Sequence, residues 1–168
     1  MNNLRFPTAL GACAISWGEA GVTRFELPGA RQEAPPPGGP AADGDAPDWV
    51  RRLAERVRAH LGGSPQDFSD VRLDWGRVSA FQRAVYERTQ RVGPGKTTSY
   101  GDIARAIGLG PEGSRAVGAA LGSNPWPLLV PCHRVVSSGG RMTGFSAPGG
   151  VRTKTRLLAL EGAELLSE

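Results

Sequence analysis

The sequence predicts an α+β protein in two parts: a small strand-and-helix region over residues 1–76, then a more helical region over 77–168 carrying a helix-turn-helix. Three observations carry this. Apolar residues alternate in two short runs near the N-terminus, as half-buried strands require. Between residues 49 and 61 they recur at helical spacing. Two short helical segments, 100–107 and 114–122, then flank a glycine-bearing turn. At 168 residues the chain can bury one modest core or two small packed units. A content of 39% hydrophobic and 21% charged residues is globular and sets wholesale disorder aside.

Taken in order, Ala12 to Trp17 and Val22 to Leu27 form a hairpin around Gly18-Glu19-Ala20-Gly21, ended by Pro28 and Gly29. Cys13 falls in the first run and reads as a core residue. Phe6 to Trp17, following Arg5, has the outline of a short signal peptide, but its pattern continues into a second strand and cleavage would cut the hairpin. Residues 31–48, with Pro35-Pro36-Pro37, read as a mobile surface loop. Val50, Leu53, Ala54, Val57 and Leu61 mark the inner face of a helix starting at Trp49 and stopped by Gly62-Gly63. His60 lies in its last turn, where a cation suits the helix dipole, and reads as a structural or surface residue. Val71, Leu73 and Trp75 alternate as one more strand.

Ser79-Ala80-Phe81-Gln82 is a capping-box pattern opening a helix to about Arg91, with Phe81, Ala84, Val85 and Arg88 on its inner face and rim. Pro94-Gly95 turns the chain. Thr97-Thr98-Ser99 caps the helix Tyr100 to Ile107, and the turn Gly108 to Gly113 leads to the helix Ser114 to Gly122. That last helix is lined by Ala116, Gly118, Ala119, Ala120 and Gly122. Small residues suit tight helix–helix packing, and equally a helix lying in a narrow groove. A major-groove reader presents several long polar side chains; this helix has Arg115 alone. For a nucleic-acid partner, minor-groove docking with little sequence discrimination fits better, with Arg115 placed to wedge into a base stack.

Charge is divided unequally. Residues 1–75 carry a net −2 and residues 76–168 a net +6, within a total of +4. The basic half points to a polyanion, nucleic acid first, although arginine-rich composition also arises from codon bias. Two cysteines make no disulfide framework and read as reduced thiols in the cytoplasm. Two separated histidines and no paired cysteines leave a zinc site almost without ligands, and no segment reads as a membrane span.

The chemistry is concentrated in Pro131-Cys132-His133-Arg134-Val135-Val136, reached through Asn124-Pro125-Trp126-Pro127 and the apolar run Leu128-Leu129-Val130. A lone cysteine is usually an inert core residue. Beside a histidine it becomes a candidate nucleophile, since the thiolate is the reactive form and an imidazole can take its proton.

Together with Thr98-Ser99-Tyr100-Gly101, Ser114-Arg115-Ala116-Val117-Gly118, Ser123-Asn124-Pro125 and Leu157-Leu158-Ala159-Leu160-Glu161-Gly162, this run resembles the O6-alkylguanine-DNA alkyltransferases, also called methylated-DNA–protein-cysteine methyltransferases. The resemblance covers nearly the whole chain and is strongest from Ser79 to Gly162. It implies a ribonuclease H-like N-terminal subdomain and a winged helix-turn-helix-like C-terminal domain for DNA binding and alkyl acceptance. It implies that Cys132 takes the alkyl group from O6 of a flipped-out guanine in double-stranded DNA, with O4-alkylthymine a lesser substrate, once per molecule and without cofactor or metal. His133 is implied as the base through a bridging water, Glu161 as its orienting carboxylate, and Asn124 as the residue holding the turn before the cysteine. Tyr100 corresponds to a tyrosine that crowds the target phosphate and bonds the base, and Arg115 to the residue that fills the vacated stack. Ser114, Ala116, Gly118, Ala119 and Ser123 fall on the DNA-docking segment; Pro127, Val135, Phe145 and Ser146 fall on the substrate pocket. Lys154 and Ser138 match positions near the site loosely, and the loop Gly144 to Gly150 is longer than in many relatives. A monomer is expected.

Three other readings compete. Lesion sensors of this fold lack the cysteine, which is present here. Regulators that use the helix-turn-helix carry a further domain. A cysteine hydrolase built on Cys132, His133 and Glu161 would need an oxyanion hole, and no glycine-flanked nucleophile motif supports one.

Overall fold

The first strand is one that alternation did not reveal. In the computed structural model, which describes residues 2–28, 46–137 and 150–163, β1 (Asn2–Thr8), β2 (Gly11–Gly18) and β3 (Gly21–Glu26) form an antiparallel meander in that order. The expected hairpin is β2–β3, with Cys13 buried in it. In β1, Pro7 argues against a strand because it cannot donate to a ladder. The position is tolerated because β1 is an edge strand, and Leu4 and Phe6 still face the core.

The strand expected at Val71–Trp75 is absent. Leu73 makes a single parallel bridge to Val22, and Trp75 instead opens a 3-10 turn, Trp75–Arg77. The alternation there reflects packing: Leu73 is buried, and Trp75 meets Trp126 edge-on at 5.3 Å beneath the Arg83 guanidinium. The bridge depends on Gly21. Its φ is +128°, and a Cβ there would lie 2.4 Å from the Arg72 carbonyl oxygen.

Helix α1 (Asp48–Leu61) buries the five predicted apolar residues and also His60. Helix α2 (Ala80–Thr89) has both halves of its capping box: the Gln82 N–H donates to Ser79 Oγ (3.1 Å) and the Ser79 N–H to Gln82 Oε1 (2.9 Å). Its inward stripe differs from the expected one. Phe81 and Arg88 are exposed, while Val85, Tyr86 and Thr89 are buried. The Tyr86 hydroxyl donates to the Ala120 carbonyl, so the ring is buried at no hydrogen-bond cost.

β4 (Thr98–Ser99) runs into α3 (Tyr100–Ala106), capped by Ser99, whose Oγ accepts from the Asp102 N–H (3.0 Å). A 3-10 turn, Pro111–Gly113, leads into α4 (Ser114–Gly122). β5 (Val135–Val136) pairs parallel to β4, and α5 (Gly150–Leu160) follows. One hydrophobic cluster runs through both parts of the chain, from Leu4 and Phe25 to Trp126, Cys132 and Leu157. Among the hydrogen bonds that cross between them are Trp126 Nε1–H to the Val22 carbonyl and the Phe25 N–H to the Pro125 carbonyl, both 2.9 Å, and His60 Nε2 to Glu161 Oε2 at 2.7 Å.

Candidate active site

After α4 the chain reverses through Asn124–Val130, where Leu128 holds φ at 77°, the one positive φ outside glycine among the described residues. A left-handed leucine costs about 1–2 kcal/mol. Asn124 spans the turn that stabilises it: Oδ1 accepts from the Trp126 N–H (2.9 Å) and Nδ2 donates to the Val130 carbonyl (3.0 Å). The turn delivers Cys132–Arg134, a 3-10 segment whose three side chains are all buried. The β4–β5 pairing then joins the residues after it to the start of α3 and Tyr100.

Burial pushes the Cys132 thiol up to about 11, against opposing pulls from an Asn124 hydrogen bond and the Lys154 charge. At neutral pH the resting group is therefore a thiol, and the site must remove its proton during reaction. His133 is the adjacent base. Its Nε2 lies 3.0 and 2.9 Å from the two Glu161 oxygens, while its buried Nδ1 has no partner among the described residues. A carboxylate only accepts, so Nε2 carries the proton and Nδ1 offers a lone pair. Burial lowers the His133 pKa, and Glu161 opposes this only in part, which keeps the ring neutral and able to accept.

Glu161 follows the last residue of α5 and is buried. Burial alone would raise its carboxyl. Hydrogen bonds from Arg134, His133 and His60 outweigh that and hold it well below the usual carboxylate range. Arg134 grips it with two parallel bonds, Nε to Oε1 (2.9 Å) and Nη2 to Oε2 (2.7 Å), and Nη1 donates to the Val92 carbonyl (2.6 Å). His60 adds Nε2 to Oε2 at 2.7 Å. Of the two readings of His60, structural or surface, the structure bears out the first: a ring on the inner face of α1 is too deep to act as an exposed cation.

Sequence reasoning gave no role to Arg134 and none at this site to His60. The signal for Arg134 lay in Glu161, since a buried carboxylate demands a charged donor. Lys154 is also fully buried; its Nζ donates to the Val135 carbonyl (2.7 Å) and lies 6.0 Å from the centre of the Tyr100 ring.

The structure places Cys132, His133, Glu161 and Asn124 together. Val135 is buried beside them and Pro127 is half-buried in the turn. A second surface is the outer face of α4, where Arg115, Ala116, Ala119 and Ser123 are exposed, Ser114 and Gly118 half-buried, and Val117, Ala120 and Leu121 turned inward. Most of the small residues therefore face outward and are not spent on helix packing. Gly118 abuts the Tyr100 ring, which a Cβ would meet at 3.9 Å. Phe145, Ser146 and Ser138 lie outside the described residues, as does most of the loop expected at 31–48.

The site is thus a buried thiol at the end of a turn, next in sequence to a histidine bonded to a buried carboxylate. Residues 80–163 match the family profile described as the DNA-binding domain of 6-O-methylguanine DNA methyltransferase. A Thermus thermophilus protein named DNA base-flipping protein is 41% identical over 157 residues, 94% of this chain and 97% of that one. The methylated-DNA–protein-cysteine methyltransferase of Methanothermobacter thermautotrophicus is 34% identical over 152 residues, covering 90% and 80%. A crystal structure of Mycobacterium tuberculosis OGT in complex with DNA superposes with a TM-score of 0.73 at 30% identity, covering 96% of this chain and 93% of that one. The chain belongs to the 6-O-methylguanine DNA methyltransferase family.

Proposed function

We propose that this protein repairs DNA by direct reversal, moving the alkyl group of O6-alkylguanine irreversibly onto Cys132, with O4-alkylthymine a lesser substrate. The observation that carries the reading is the Cys132–His133–Glu161 sequence: a buried thiol next to an imidazole whose Nε2–H is committed to a carboxylate and whose Nδ1 is left to accept. His133 Nδ1 takes the Sγ proton through one water, because side chains of adjacent residues seldom meet head to head. Sγ then bonds the alkyl carbon as the carbon–O6 bond breaks, and the electron pair leaves on guanine, which takes up a proton in turn. Glu161 stabilises the imidazolium in between. Atoms and charge balance between thiol and lesion, so no cofactor or metal is assigned. The thioether product does not hydrolyse, and each molecule acts once.

The target base must leave the stack to reach a thiol this deep. The outer face of α4 docks in the minor groove of duplex DNA with little sequence preference: Ser114, Ala116, Gly118, Ala119 and Ser123 allow close approach, and Arg115 fills the vacated space. Tyr100 bonds the flipped base and crowds its phosphate, and Asn124 holds the turn that presents Cys132. Pro127 and Val135, with Phe145 and Ser146, form the pocket. Residues 77–168 are the DNA-binding and alkyl-acceptor domain, and residues 1–76 a ribonuclease H-like subdomain. The protein works as a monomer in the cytoplasm, where Cys132 stays reduced. Among the described residues no helix is long and apolar enough to cross a membrane.

The Thermus relative is named for base flipping alone, so binding without transfer is the competing outcome. Intact-protein mass after mixing with duplex DNA bearing one O6-methylguanine separates the two. One methyl on Cys132, no further turnover and none in Cys132→Ala is the expected result. Tight binding with an unchanged mass would make the protein a lesion sensor.

A further inference from the structure

We infer that His60, contributed by α1 from the other part of the chain, is a positioning residue for alkyl transfer: it fixes the Glu161 carboxylate that in turn orients His133. This rests on the repair reading above and extends it to a residue outside the segment that carries the thiol.

The His60 ring is held on every side. The Gln66 backbone N–H donates to its Nδ1 (2.9 Å), and its Nε2 meets Glu161 Oε2 at 2.7 Å. Phe68 packs against the ring at 5.3 Å between centroids, and the residue is 1% exposed. An amide can only donate, so Nδ1 is the acceptor and the proton is on Nε2, directed at the carboxylate. His60 is therefore a neutral donor in a single tautomer, 101 residues from its partner in sequence.

The geometry at Glu161 shows why such a donor matters. Just past α5, the Glu161 N–H still donates to the Leu157 and Leu158 carbonyls (3.2 and 3.1 Å), which holds its backbone and leaves the side-chain torsions to be set by the groups around the carboxylate. Arg134 and His133 approach from the same 3-10 turn. His60 arrives from a different element and donates to Oε2 as well, a tether beyond the Arg134 fork that helps to hold the carboxylate facing His133. Among the described residues the other ionisable groups around this cluster include Arg56, stacked over Phe68 from α1, Asp67 from the loop after it, and Cys132 with Lys154 beside it.

The test measures the single-turnover rate of methyl transfer from an O6-methylguanine duplex between about pH 5 and 9, where imidazole and thiol titrate. Duplex affinity and melting temperature are measured alongside for His60→Gln, His60→Asn and His60→Phe. Glutamine places an amide donor at about the reach of Nε2, whereas asparagine reproduces only the Nδ1 acceptor and phenylalanine neither. We expect His60→Gln within about twofold of the parent, and His60→Asn and His60→Phe slower by roughly tenfold to a hundredfold, the upper end being the scale of a base misplaced by about 1 Å. With one donor lost, more of the Glu161 charge faces His133 and raises its pKa. The acid limb of the rate profile should therefore move to higher pH in Asn and Phe but not in Gln. Equal behaviour of Gln and Asn with an unmoved acid limb, or losses that merely follow melting temperature, would overturn the assignment. If the parent protein transfers no methyl, the repair reading falls instead. The hydrogen bond is then judged on imidazole nitrogen NMR: a His133 signal displaced in His60→Asn supports it, and an unmoved one overturns it.

Discussion

At the scale of single residues, the site is a problem of burying charge. Glu161 and Arg134 are both almost wholly inaccessible, and each is tolerable only because of the other. Removing one partner strands the other, so Arg134→Ala should destabilise the protein by about 3–5 kcal/mol in urea denaturation. Arg134→Lys should recover little of this, because an ammonium cannot reproduce the two parallel bonds. Cys132, His133, Asn124 and Glu161, which the structure brings together, were singled out in the sequence because they fall in segments that resemble the alkyltransferases. Arg134 lay inside that pattern unread, since an arginine in a basic region looks like surface. His60 was illegible for a deeper reason: its partner is fixed by the packing of α1 against α5, and no local rule reaches across 101 residues.

Among elements, those announced by local chemistry were read best. α1, α2, α3 and α4 carry their own stops, caps and stripes, and their ends fall within a residue or two of expectation. The elements misread are those whose form is set by a neighbour. β1 exists because β2 offers an edge, and residues 71–75 are not a strand because only Leu73 reaches β3. This makes Gly21→Ala a sharp probe: its Cβ would strike the Arg72 carbonyl and its φ is positive, so a loss of roughly 1–3 kcal/mol in thermal or urea melts is expected, beyond an ordinary surface change. The outer face of α4 predicts the opposite pattern. Ala119 is exposed, so Ala119→Glu should leave the melting temperature within a degree or so, while its bulk and charge weaken binding to duplex DNA by more than about tenfold. An unchanged affinity in a mobility-shift or anisotropy titration would show that this face does not meet the phosphate backbone.

For the whole molecule, the site dictates how stability responds to pH. Glu161 is held below its ordinary value of 4.5, and His133 below its ordinary 6.5. In both cases the unfolded chain binds the proton more readily than the native one. The stability they contribute is thus complete above pH 6.5, begins to fall as His133 would charge in the unfolded chain, and falls further below 4.5 as Glu161 does. The thiols, and at higher pH the buried Tyr86 hydroxyl, act on the alkaline side with the reverse sign, opposed by Lys154, whose burial lowers its pKa. Cys132 is raised from 9.0 to about 11 and Cys13 to about 12, so stability should be intact below pH 9 and decline as the unfolded thiols ionise first. Urea midpoints taken from about pH 2 to 10 should therefore trace a plateau with shoulders on both sides. Glu161→Gln should lower the plateau and flatten the steepest acid portion, because the variant has no carboxylate left to protonate there. Cys132→Ala should soften the alkaline shoulder while leaving the acid one in place. An acid shoulder that survives Glu161→Gln unchanged would mean that the buried carboxylate is not what acid attacks, and the charge pairing that holds His133 in its reactive tautomer would have to be drawn differently.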